Sequence, residues 1–173
     1  MELNTAPTCG VCNQRLVLPC GNPNNPFLVI GEYPGVDSIR RGSAWLDKGG
    51  VLLEREFALA GFNPSIRYMT TFWLHEPDMS GAVLSVTSPC WQSMFARAVM
   101  EMKNRKYILL MGSVLSKAFL DIKDATDVSG LRVHSPYWDN ECVTIGCISP
   151  NHVINGTLGE FRLALKRMKG HMK

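Results

Sequence analysis

A chain of 173 residues, 46% hydrophobic and 19% charged, carries the material for one buried core and little for extended disorder. Its formal charge of +3 and pI near 8.6 permit an anionic partner but fall short of the basicity of a protein that coats nucleic acid. Apolar runs such as Tyr107 to Met111 are far too short to span a bilayer, and the opening Met-Glu-Leu-Asn-Thr has no signal-peptide pattern, so the expected setting is the cytoplasm.

Six cysteines would suit three disulfides in a secreted chain, but without a secretory signal Cys9-Gly-Val-Cys12 reads as metal ligands or a redox pair. A thioredoxin-type pair sits between a strand and a helix. This one lies among Pro, Gly and Asn, so residues 1–25 are expected to form a ligand-bearing N-terminal segment. The first strand is Phe27 to Ile30, an apolar run of the kind buried in parallel sheets, and it opens into Gly31-Glu32-Tyr33-Pro34-Gly35. Ligands gather beyond the carboxyl ends of strands in open α/β sheets, which makes this loop a candidate site. Val51 to Leu59 has Leu52, Leu53, Glu56 and Leu59 at helical spacing and ends at Gly61 and Pro64.

A second strand is expected at Ile66 to Phe72, then a helix capped by Ser88, opened by Pro89 and running through Met102. Tyr107 to Met111 is the third strand, and Gly112-Ser113 begins a short helix through Phe119. Leu131 to Trp138 and Cys142 to Ile148 read as extended stretches parted by a turn at Asp139-Asn140. Cys142 and Cys147 would lie on opposite faces of a regular strand, both as small core residues. The last helix shows a capping box, Thr157-Leu-Gly-Glu160, and an apolar face of Leu158, Phe161, Leu165 and Met168. The alternation predicts one domain over residues 1–173 of class α/β: a three-layer α/β/α sandwich around a central, mainly parallel four-stranded sheet.

The stretch from Gly31 to Leu53, Gly-Glu-Tyr-Pro-Gly-Val-Asp-Ser-Ile-Arg-Arg-Gly-Ser-Ala-Trp-Leu-Asp-Lys-Gly-Gly-Val-Leu-Leu, resembles without a gap the first motif of the iron-sulfur uracil-DNA glycosylases. That motif is Gly-Glu-x-Pro-Gly, then a glycine, an aromatic, a small-residue pair and Leu-Leu. Its length makes it more specific than an isolated glycine-rich loop. The chemistry is sensible on its own terms, because cleaving a base from deoxyribose passes through a cationic sugar, which calls for a carboxylate to position water and face the charge. Glu32 is the first candidate and Asp37 the second, although the resembled family carries its acid one or two places later, where this chain has Ser38 and Ile39. Tyr33 and Gly35 stand in the same loop as substrate contacts, Gly35 with no side chain to exclude a 5-substituent. Trp45 falls where the family stacks an aromatic on the extruded base; taken alone, it reads as core.

The resemblance extends over nearly the whole chain and weakens along it. In the family the second strand ends in an asparagine that reads the uracil edge, followed four residues later by a cluster cysteine; those positions hold Thr71 and His75. Cys90 follows His75 at a spacing the family uses for its last two ligands. The resemblance thus implies a metal set of Cys9, Cys12, His75 and Cys90, with Cys20 in reserve. It implies a 4Fe-4S cluster, with zinc as the alternative because three thiolates and an imidazole are also a zinc pattern.

The family's second motif begins His-Pro-Ser, where this chain has Ser149-Pro150-Asn151-His152-Val153-Ile154. Serine donates one neutral hydrogen bond and cannot supply the charge-assisted bond of an imidazolium. Ser149 is carried over as the catalytic position, Asn151 and His152 as base or phosphate contacts, and Val153 with Ile154 as the wedge that enters the duplex, against a competing reading as loop anchors. The implied function is a monomeric DNA glycosylase that flips out and hydrolyses uracil or a 5-substituted pyrimidine. The alternative is a catalytically inactive DNA- or protein-binding module of the same fold.

Overall fold

A computed structural model describes residues 7–77, 86–153 and 157–172. Strand β1 is Cys20–Gly21, β2 Phe27–Gly31, β3 Arg67–Thr71, β4 Tyr107–Met111, β5 Arg132–Val133 and β6 Val143–Cys147. The helices are α1 Val36–Arg41, α2 Lys48–Leu59, α3 Pro89–Met102, α4 Ser113–Leu120 and α5 Leu158–His171. The sheet has six strands in the order β1-β3-β2-β4-β6-β5, not four. The four expected strands form its parallel centre, and β1 and β5 add an antiparallel edge on each side. Each edge strand spans two residues, too few to show a periodicity of two, which is why β1 is not visible in the sequence and β5 shows only as part of the extended stretch from Leu131 to Trp138. Short edges also leave little unpaired backbone to recruit another chain.

Alternation along the central strands sorts the core into two layers. Leu28 and Ile30 of β2, with Ile108 and Leu110 of β4, face α3 and α4 through Met94, Ala98, Met102, Leu115 and Phe119. Phe27 and Val29, with Leu109 and Met111, face α2 and α5 through Leu53, Phe57, Phe161 and Leu165. Helices therefore cover both faces of the sheet, as a continuous apolar run in a parallel strand requires. Cys142 and Cys147 fall in opposite layers, both buried.

Several boundaries differ from expectation for identifiable reasons. Helix α2 starts at Lys48, before Val51, because the Asp47 side chain accepts from Gly50 N at 3.0 Å and caps it. Its buried face is Gly49, Gly50, Leu53, Glu56 and Phe57, and Leu59 points to solvent. Helix α1 was not expected; it is a six-residue turn closed by Gly42 in the left-handed region. Of the stretch from Leu131 to Trp138 only Arg132–Val133 pairs as a strand. The capping box does not form: Thr157 Oγ1 donates to His152 O at 3.3 Å and makes no side-chain cap on α5. Among the described residues, no helix is long and apolar enough to cross a membrane.

The chain leaves β2 for β3 on one side, and leaves β4 for β6 on the other. Adjacent parallel strands whose connections diverge open a crevice at their carboxyl ends. That crevice lies beside Glu32 after β2 and Gly112 after β4.

Candidate active site

Glu32 follows the last residue of β2 and is 7% exposed. Its Oε1 accepts a hydrogen bond from Val114 N at 2.9 Å, in the first turn of α4. Helix N-termini leave backbone N–H groups without internal partners and favour negative charge, so α4 holds the carboxylate without a salt bridge. Gly112 makes this possible on two counts: its φ is 102°, and a Cβ there would lie 2.2 Å from Glu32 Cδ.

Trp45 carries φ 65°, unusual for a bulky residue and a local strain. Its Nε1 donates to Thr70 O at 3.2 Å, and the far edge of its ring lies against Gly31, where a Cβ would come within 2.6 Å. The ring is half-buried, packed against the α2–α5 layer while lining a narrow cleft with Glu32, Tyr33 and Pro34. The ring is thus core on one side and cleft lining on the other. Burial and the nearby Glu32 carboxylate raise the Tyr33 phenol above its ordinary pKa.

Thr71, Ser149 and Asn151 complete the cleft together with Asp47. The Thr71 hydroxyl donates to Trp73 O at 2.7 Å, which leaves its oxygen to a ligand as an acceptor. Ser149 precedes the turn Pro150–His152 and makes no side-chain cap there. The cleft is tight, about 10 Å³, which is room for about one water. A far larger hollow of about 640 Å³ lies between α2 and α5, where Glu56 and Arg162 already satisfy each other. Size favours that hollow, but the convergence of a carboxylate, hydroxyls and an aromatic face favours the cleft as a reaction site.

Asp47 was missed in the sequence. Its Oδ2 accepts from Gly35 N at 3.0 Å and from Ser38 Oγ at 3.1 Å, while Oδ1 caps α2. The signal was there: an aspartate three residues ahead of the run Gly50 to Leu53 is a helix N-cap pattern. Asp37 does not join the cleft; it is half-exposed on α1 and pairs with Arg40 at 2.7 Å. Gly35 also changes meaning. A Cβ there would meet Asp47 Oδ2 at 2.4 Å, so the space beside it holds this chain's own carboxylate rather than a base substituent.

His152 lies on the far side of Ser149, in a separate hollow with Ser113, Asp124 and Thr126. Val153 packs half-buried against the α2–α5 layer, the position of a loop anchor. Ile154 lies outside the described residues.

With this geometry goes a sequence match: the family model described as the uracil DNA glycosylase superfamily matches residues 18–168, more than four-fifths of the chain. The chain belongs to the uracil-DNA glycosylase superfamily. The matched span covers both strand-end loops of the cleft, together with His75 and Cys90, but starts after Cys9 and Cys12.

In this superfamily member the four expected ligands do meet. The donor atoms of Cys9, Cys12, His75 and Cys90 all lie within 4.8 Å of one another. Cys9 and Cys12 stand on a tight knuckle in which Asn13 N donates to Cys9 O at 2.8 Å, with Asn13 at φ 59°. His75 comes from the loop after β3, and Cys90 from the first turn of α3. His75 Nδ1 lies 2.9 Å from Glu76 O, which leaves Nε2 facing the thiols. Burial works against ionisation of Cys9, yet hydrogen bonds from the N–H groups of Cys12 and Val11 and from the thiols of Cys12 and Cys90 together outweigh it and draw the thiol down to about 6. Cys90 is pushed up to about 12 by burial and by the thiols beside it. The opposite directions follow from closeness, since the first thiolate to form opposes the next unless a cation sits between them. Cys20 stands apart in β1 with its pKa raised by burial, a neutral thiol and not a ligand.

The spacing bears on which group these donors fit. Around one ion at ~2.3 Å from sulfur and ~2.0–2.1 Å from nitrogen, tetrahedral edges are ~3.8 Å between sulfurs and ~3.5 Å between sulfur and nitrogen. Here Cys9 Sγ to Cys90 Sγ is 3.6 Å, Cys12 Sγ to Cys90 Sγ 3.7 Å and Cys12 Sγ to His75 Nε2 3.5 Å. A 4Fe-4S cluster puts a separate iron under each ligand, with sulfides between, and spreads the ligands wider than one ion does. By spacing, the donor set fits one ion better than the cluster.

Proposed function

We propose that this chain is a DNA glycosylase that flips out uracil or a 5-substituted pyrimidine and hydrolyses its N-glycosidic bond. The carrying observation is Glu32, a buried carboxylate fixed by the N-terminus of α4 in a cleft with room for about one water. In that position the carboxylate orients the attacking water and opposes the positive charge that grows on the sugar. Trp45 offers a π-face to the extruded base, offsetting lost stacking. Thr71 accepts a hydrogen bond from the base edge, and Ser149 donates one to a carbonyl of the leaving base. Asn151 contacts base or phosphate from the rim. With Gly35 occupied by Asp47, support for a 5-substituted base rests on Thr71, which is smaller than the asparagine of the resembled family.

A second reading, a binding module that grips a nucleotide without cleaving it, is favoured by one specific observation: among the described residues no imidazole lines the cleft, since His152 lies in a separate hollow and Ser149 is neutral. The experiment that separates the two is release of free base from duplex and single-stranded DNAs carrying uracil, hydroxymethylated or glucosylated pyrimidines. Release of any one base supports the glycosylase. No release across the panel, with DNA binding that weakens as salt rises, leaves the binding module.

A further inference from the structure

We propose that Cys9, Cys12, His75 and Cys90 hold a single zinc ion in closed tetrahedral coordination, and that this ion clips both walls of the cleft in place. This stands on the donor geometry and is independent of whether the chain cleaves DNA. Of the six edges of a four-ligand tetrahedron, three at 3.5–3.7 Å match one ion, His75 Nε2 to Cys90 Sγ at 3.1 Å is tighter, and the two from Cys9 to Cys12 and to His75 lie within 4.8 Å. Four protein ligands leave no open position, which is the mark of a structural zinc site rather than a catalytic one. Three thiolates and an imidazole are soft enough for zinc, and the Glu76 carbonyl fixes the tautomer that presents Nε2.

The clip acts through backbone on both sides. His75 stands four residues beyond Thr71, the last residue of β3, in the loop that follows it. From the knuckle the chain runs back along that loop, with Val17 N donating to Leu74 O at 2.5 Å. It then bridges α1's exit: Leu18 N donates to Gly42 O at 2.9 Å, and Ala44 N to Leu18 O at 2.8 Å. The next residue is Trp45. One ion therefore ties the Thr71 wall to the Trp45 wall, with Cys90 anchoring both to α3.

The test is a metal count on the full chain, produced with iron and zinc both supplied and purified under nitrogen, with acid-labile sulfide and visible absorbance measured on the same sample. About one zinc per chain and no sulfide are expected, and exchange for cobalt should give the d–d and thiolate charge-transfer bands of a tetrahedral site. Because Cys9 and Cys90 are buried and their variants can fail to fold, the exposed ligand supplies the control. Cys12→Ala should weaken zinc retention against a chelator by at least the ~10–100-fold that loss of a ligand-orienting group costs. His75→Cys should keep one metal and shift the cobalt bands. Several irons with matching sulfide, a single iron, or a folded chain without metal would each overturn the proposal.

Discussion

Glu32 and its neighbours can be tested one atom at a time. Glu32→Gln keeps the shape and removes the charge, so base release in a single turnover should fall by about 10²–10⁴-fold while DNA affinity stays near wild type. A rate equal to wild type would sink the assignment. Gly112→Ala is the complementary variant. Its Cβ would press on the Glu32 carboxylate at 2.2 Å and sit at φ 102°, so it should cost ~1–3 kcal/mol in urea unfolding and lower the rate together. That Glu32 and Trp45 share one cleft was legible because a long motif fixed their places. Asp37 was misplaced because a sequence does not show which of two acids ten residues apart turns inward. That choice belongs to the backbone: α1 carries Asp37 outward, whereas Asp47 caps α2 beside the loop of Gly35.

At the scale of elements, α2 and α5 are joined by one buried acid. Glu56 receives Arg162 Nε at 2.7 Å and Arg55 Nη2 at 2.9 Å, and the Arg162 guanidinium holds its carboxyl below the ordinary range, with Arg55 adding to this. A carboxyl with a depressed folded pKa contributes stability above its unfolded pKa of ~4.3 and loses it as the pH falls through the folded value. Glu56→Gln should therefore destabilise at pH 7 by ~1–3 kcal/mol, and the gap to wild type should close as the pH drops below about 4. An undiminished gap in urea titrations at both pH values would contradict this. The four parallel strands were readable as apolar runs. Glu56 was readable only as a helical position, since its partner Arg162 lies more than a hundred residues away.

For the whole molecule, the sandwich supplies the frame, and two of the four clustered donors, Cys9 and Cys12, come from ahead of the family-matched span. For the zinc site proposed above, stripping the ion should lower the thermal midpoint by ~2–4 °C for each kcal/mol of binding lost, and re-adding zinc should restore it. A midpoint indifferent to chelation would mean that the knuckle holds without an ion. The α/β class and the strand-end position of the cleft followed from alternation alone. The expected ligand His75 came instead from the family resemblance and its spacing to Cys90, and the fold brings it 3.5 Å from Cys12.

A cleft with space for a single water at rest cannot receive a base without parting first. For the base excision proposed above, selection would then become kinetic, with each lesion sampled in proportion to how often the Trp45 and Asn151 edges separate, before any bond is strained. Among bases of one shape, the observed turnover would track this gate and be nearly blind to how readily each departs.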